Sequence, residues 1–579
     1  MTDRIGARGL AAAAASACLV LAGCGGGGGG GSSGTATPPS TVPISDADAA
    51  RFLTQASMGV TDADISSVES QGYKGWIQNQ MGLSATGTAQ SFQAAAKAAL
   101  LAASPTAFFN GTATSNNYVF QQAVTAPDQL RQRVQLALSE IFVTSYQSGH
   151  QDGVGMGAYW DILGRDAFGN FRTLMEDVTL SPQMGHYLTY LGNLKENTAT
   201  GQVPDENYAR ELMQLMTIGL WQLNQDGTQK LDGSGNPIAT YTHADIAGLA
   251  KVFTGISYYS PSPTNSTFYG AGKDPTAEYA PMIYYNQYHS ISEKDFLGTT
   301  IPATTTANAA ADVKTALDAI FNHPNVGPFI GRQLIQRLVT SNPSPAYVSR
   351  VAAVFNNNGS GVRGDLAAVI TAILTDSEAR TAPATSDATS GKLREPLVRM
   401  TNLMRSFGAT SQTGLWTIGD TSASTSLYQG ALDSPSVFNF WRPGYVPPNG
   451  KMGAAQLTVP EFQVVNEVSV ATYINTMTSV INSGAGAVQT GTSTRDIQVP
   501  FTTEIPLSTT APQLVARINK LLFYGNMSAG LQQILTDNIN SVAIPGGTAT
   551  AAQITAAQTN RVRVAISIAV ASPEYLTQR

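Results

Sequence analysis

The sequence predicts a mostly α-helical chain: a large multi-helix globular domain with one small β-hairpin insertion and long loops. Three observations predict it. Apolar residues recur three and four apart in stripe after stripe, which is the spacing of one helix face. The stripes open at Asp, Thr, Ser or Pro and close at Gly or Pro, where helices start and stop. Only two stretches, one dense in turn residues and one rich in Thr, Ser and Gly, break the pattern.

Taken in order, Asp128 reads as an N-cap before Leu130, Val134, Leu138, Ile141 and Phe142. Tyr208, Leu212, Leu215 and Met216 form a stripe that stops at Gly219. Asp226-Gly227 and Asp232-Gly233-Ser234-Gly235-Asn236-Pro237 predict the hairpin. Thr242 and Asp245 form a capping box for a helix through Ile246, Leu249 and Phe253, closed by Gly255. Further helices carry Val313, Leu317 and Ile320, then Ile330, Leu334 and Leu338. Ser344-Pro345 heads Val348, Val351 and Phe355, Asp365 caps Leu366, Val369 and Ile373, and Pro396 opens a helix that Gly408 ends. Residues 483–511, rich in Ser, Thr and Gly, read as a surface loop or second linker between a main domain (45–482) and a helical segment (512–579) that packs on it.

The first residues carry a location signal. Arg4 and Arg8 precede an apolar stretch from Leu10 to Ala22, too short for the ~20 residues of a bilayer span but suited to a secretory leader. Leu21-Ala22-Gly23-Cys24 looks like a lipobox, which implies cleavage after residue 23 and lipidation of Cys24. Gly25 to Gly31 and the polar stretch through residue 44 then form a flexible tether. The residue after the cysteine is Gly25 and not Asp, which favours the outer membrane of the cell envelope.

Composition excludes several function classes. The net charge is −6 with no basic run, so a nucleic-acid partner is not expected. The only cysteines are Cys18 and Cys24, which leaves no disulfide, thiolate nucleophile or Cys-based zinc site for the folded part. There is no Gly-x-Ser-x-Gly elbow, no phosphate-binding Gly-rich loop and no His-Glu-x-x-His, so neither a metal site nor a cofactor is expected. Asp232, Ser234 and Asn236 alternate like the start of a calcium loop, but Pro237 stands where its glycine belongs.

An ordered series of phrases then points to one family. It comprises Asn207-Tyr208-Ala209-Arg210-Glu211-Leu212, Thr217-Ile218-Gly219, Tyr241-Thr242 with Asp245, and Thr254-Gly255. His289 with Lys294, His323-Pro324-Asn325-Val326, Arg332-Gln333-Leu334, Gly364-Asp365-Leu366 and Lys392-Leu393-Arg394-Glu395-Pro396 continue it. The chain resembles the bacterial exported family "domain of unknown function 1800" from about Ser45 to the C-terminus. Many members carry His where this chain has Met216. The resemblance implies a mostly helical exported domain without an assigned activity. It also implies a partner: genes of the family often neighbour those of an alkaline-phosphatase/sulfatase-type exported family, "domain of unknown function 1501".

Two groups of residues are candidates for chemistry. Asn207, Glu211 and Gln214 share a helix face, Arg210 stands beside them to hold Glu211 as an anion, and a nearby helix brings His243 and Asp245. Glu211, His243 and Asp245 are the catalytic candidates of a hydrolase-like enzyme, with Asn207, Arg210 and Gln214 binding ligand. The same Arg210 and Glu211 equally suit a structural ion pair, and Asp245 a helix cap. A second ligand group is His289 and Lys294 among Tyr284, Tyr285 and Tyr288, and Arg442 follows an aromatic run at 438–441. The expected role is therefore an exported binding or accessory protein acting with a partner on an extracellular substrate; the alternative is the hydrolase.

Overall fold

The computed structural model describes residues 43–384, 387 and 389–579. The leader, Cys24 and the glycine tether lie outside the described residues. The described chain is mostly α, with 24 α-helices joined by short antiparallel strand pairs. None of these helices is long and apolar enough to cross a membrane.

Local chemistry sets most helix starts. Ser45 Oγ accepts from Asp48 N at 3.1 Å and opens Asp46–Ala56. Thr242 and Asp245 form the expected capping box on His243–Val252. Asp128 departs from expectation. It precedes Gln129–Ser139 but makes no capping bond, because its carboxylate faces Arg131 Nε at 3.3 Å and accepts from Gln132 instead.

Ile44–Arg579 packs as one unit around a continuous apolar core. Gln129–Ser139 and Val326–Leu338 run through it, buried along nearly their whole length. Arg133 and Arg337 carry charge into this core from the two helices.

The β structure is small. The 221–239 stretch is a hairpin-like excursion held by isolated bridges such as Trp221–Ala239 and Leu231–Pro237. At its tip Asp232 Oδ1 accepts from Ser234 N (2.8 Å) and Asn236 N (2.9 Å), so the carboxylate shapes the turn. Residues 483–511 are not a linker. Ala485–Val488 and Arg495–Gln498 pair as a hairpin, and the second strand also pairs with Thr410–Ser411. Asp496, fully buried, accepts from Thr413 N (2.9 Å) and Thr417 N (2.8 Å) and locks the 411–417 turn to this sheet. A Ser/Thr-rich composition conceals this, because the strand-determining contacts lie some eighty residues away.

Candidate functional site

The site grows from one irregular helix. Asn207–Glu211 continues directly into a π-helical turn, Leu212–Thr217. Ile218 N donates to Met213 O at 3.0 Å, and Thr217 Oγ1 to Leu212 O at 2.6 Å, so hydroxyl and amide together satisfy the widened turn. Such turns cluster at functional sites. Tyr208 anchors the preceding segment: its ring stacks on Tyr190 at 4.0 Å and its hydroxyl lies 2.7 Å from Thr179 Oγ1.

Glu211 sits where the helix widens, 9% exposed, and its Oε2 is buried without a hydrogen-bond partner. Burial raises its pKa, against the pull of the Arg210 charge. Nearby stands the phenol of Tyr241, also buried without a partner. Burial and the neighbouring Glu211 carboxylate push that phenol up to about 12. Tyr187 completes the cluster, held by Ser434 and raised to about 12 by burial, with Glu211 adding to the shift. Glu211 and Tyr241 thus present two unengaged hydrogen-bonding groups in low dielectric. Neutral, both can donate to an acceptor atom, and Glu211 can transfer a proton.

The remaining predicted residues do not join this cluster. Arg210 does not hold Glu211 by a direct bond: its Nη2 is 3.0 Å from Glu206 Oε2, one helical turn back. His243 is 76% exposed and places Nε2 3.5 Å from the same Glu206 oxygen. Asp245 is a structural residue. Burial alone would raise its pKa, but bonds from Thr242 and from Leu297 N at 2.7 Å outweigh it and hold the carboxyl below its usual range. Asn207 Nδ2 reaches Thr189 Oγ1 at 3.4 Å, and Gln214 lies half-buried on the π turn.

His289 and Lys294 do not reach solvent; both are fully buried. His289 Nε2 lies 3.0 Å and Lys294 Nζ 2.9 Å from Asp312 Oδ2, and Lys294 also donates to Ser290 O at 2.8 Å. They pin the 289–294 segment to the helix Ala309–Asn322. Arg442 is exposed and lies over the Phe438 ring at 4.7 Å.

The family model described as "Protein of unknown function (DUF1800)" matches residues 51–577. The chain belongs to the DUF1800 family. No curated protein and no solved structure matches it.

In this DUF1800 chain most of the ordered phrases turn out to be anchors. Asn325 Nδ2 donates to Ile218 O and Trp221 O, each at 2.8 Å, while its Oδ1 accepts from Leu223 N at 2.9 Å, tying the 218–223 stretch to the start of Val326–Leu338 through one side chain. Gly364, at φ 74°, lets its carbonyl meet Phe171 N at 2.8 Å. Lys392 and Glu395 belong to a sealed ionic lattice. Lys392 Nζ is 3.3 Å from Glu395 Oε1 and 2.9 Å from Glu461 Oε1. Arg133 Nη2 approaches Glu395 Oε1 at 3.5 Å, and Arg337 Nε approaches Glu140 Oε2 at 3.3 Å. Burial and the adjacent Glu395 charge raise Glu140 well above its usual value. Burial disfavours the Glu395 anion too, but Lys392 and Arg133 outweigh it and keep that pKa low. Sequence reasoning missed Glu206, Tyr187 and Tyr241 as site residues; the four-residue spacing of Glu206 and Arg210 was the available signal.

Among the described residues no cluster of three or more His, Cys, Asp or Glu is placed to hold a metal ion.

Proposed function

We propose that this DUF1800 protein is an exported binding protein, tethered to the cell envelope through a lipid on Cys24. It acts as an accessory to a partner exported protein, of the alkaline-phosphatase/sulfatase type, on an extracellular substrate. The observation that supports binding over hydrolysis is the dispersal of the three hydrolase candidates. Glu211 is buried, His243 faces solvent beside Glu206, and Asp245 is engaged by Thr242 and Leu297. The unpaired Glu211 and Tyr241 groups then serve to recognise a polar ligand.

The test compares the purified protein with Glu211→Gln on ester, phosphate, sulfate and glycoside substrates, alone and with the partner. The accessory reading expects no turnover by the protein alone and a gain in the partner's activity or substrate retention on its addition. Turnover by the protein alone that Glu211→Gln abolishes would overturn it. That result would establish the second reading, favoured by the same unpaired carboxyl, in which Glu211 is a general acid. Mass spectrometry of the mature N-terminal peptide tests the anchor: an unmodified Cys24, or a retained leader, removes the tether and the envelope location together.

A further inference from the structure

Far along the chain from Glu211, a cleft of about 240 Å³ opens beside the first half of the helix Glu467–Ser483. Its walls are apolar, with Leu393, Phe462, Val470 and Ile474 prominent. Val470 and Ile474 remain 48% and 41% exposed, so the mouth is reachable from solvent.

Charged groups line the cleft as well. Arg399 is 6% exposed; its Nε donates to Arg394 O at 2.7 Å and its guanidinium lies over the Tyr473 ring at 4.9 Å. Among the described residues no carboxylate lies at ion-pair distance from Arg399, because the carboxylates of the neighbouring lattice are engaged elsewhere: Glu461 Oε1 by Lys392, and Glu395 by Lys392 and Arg133. Burial lowers the Arg399 pKa, opposed by the Tyr473 and Tyr575 phenols and by the Glu461 carboxylate beyond ion-pair distance. Glu461, 2% exposed and also lining the cleft, leaves its Oε2 without a partner. The Tyr473 hydroxyl is committed to Val570 O at 3.1 Å.

We infer that this cleft is a binding site for an aliphatic carboxylate, whose acid group pairs with Arg399 and whose chain lies along Val470 and Ile474. A carboxylate matches the planar donor edge of a guanidinium and supplies a counter-charge at contact distance. A hydroxyl on the ligand would find an acceptor in Glu461 Oε2. The cleft, about 240 Å³ and open at its mouth, takes the acid group and the first carbons, and the rest of the chain lies along the half-exposed Val470 and Ile474. The site shares no residue with the Glu211 cluster, so its failure leaves the accessory reading standing.

The test is calorimetric titration of the whole chain, kept unlipidated by Cys24→Ser, with hexanoate, heptanoate, octanoate and octylammonium. The expected result is saturable one-to-one binding of octanoate and none of octylammonium. Affinity should rise about fourfold per added methylene from hexanoate to octanoate. Arg399→Gln should weaken octanoate at least about tenfold. Should Arg399→Gln fail to fold, Ile474→Asp at the exposed rim gives the same readout, because it sets a hydrated carboxylate against the ligand's apolar chain. Absence of saturable octanoate binding, equal binding of octylammonium, or octanoate affinity unchanged in folded Ile474→Asp would each overturn the assignment.

Discussion

Lys392 Nζ stands 2.9 Å from Glu461 Oε1, and both side chains are sealed from solvent. This pair joins two features of the molecule. On one side it belongs to the lattice of Arg133, Glu140, Arg337 and Glu395; on the other, Glu461 lines the Arg399 cleft. The cleft therefore rests on charge that the fold cannot rearrange cheaply.

Lys392→Met should destabilise the protein by about 3–5 kcal/mol, the cost of leaving a buried charge uncompensated. Urea unfolding measures it. Adding Glu461→Gln to Lys392→Met should recover part of the loss, because it removes one of the two stranded carboxylates. Equal stability of wild type and Lys392→Met would show that the lattice carries no net weight.

Glu211→Gln should change the pH profile of stability. The folded Glu211 pKa is raised by burial above its ordinary value of 4.5, so the folded state binds this proton more tightly than the unfolded chain does. Wild-type stability therefore falls as pH climbs from about 4.5 to the raised value, and levels off above it. Glutamine carries no such penalty, and the wild-type side chain has no hydrogen bond at Oε2 to lose. The variant should match wild type below pH 4.5 and exceed it at neutral pH, as thermal melts across that range would read. A variant less stable than wild type at neutral pH contradicts the assignment of a buried, unengaged carboxyl.

Asp245→Ala should cost about 1–2 kcal/mol, the size of a lost helix cap. It removes both the box with Thr242 and the bond to Leu297 N at 2.7 Å. Thermal denaturation checks it. A stability unchanged by the substitution would return Asp245 to the chemical candidates.

Gly248→Ala probes how closely the helix His243–Val252 approaches the strand Lys294–Phe296. An added Cβ would stand 1.8 Å from Asp295 O, a backbone atom with little room to move. The loss should be about 1–3 kcal/mol or more, as for other overpacked sites. Retention of wild-type stability would mean that the two elements separate freely.

The helical architecture was legible because its signals are local. Thr242 with Asp245, Ser344 before Pro345, and Asp365 before Leu366 each cap the helix that the sequence places there. Long-range partners were not legible. Nothing in the tyrosine-rich run around His289 announces Asp312, and nothing in residues 483–511 announces the strand at Thr410–Ser411. At the candidate site, sequence spacing placed Glu211 and Arg210 together, but a side chain four residues back, Glu206, captured the guanidinium. The π turn was missed for a related reason, since a 3.6-residue template fits Tyr208, Leu212 and Met216 without it.

That turn has a consequence for how the segment tolerates change in length. Leu212–Thr217 accommodates one residue more than a regular helix would over the same rise. Each residue advances a regular helix by about 100°, and the widened turn absorbs that step, so deleting one residue here would restore a regular helix with both flanks in register. Tyr208 would keep its seat on Tyr190 and Ile218 its bond from Asn325, and the widening beside Glu211 alone would be lost. The turn is thus a place where this segment can lose a residue without shifting the anchors on either side.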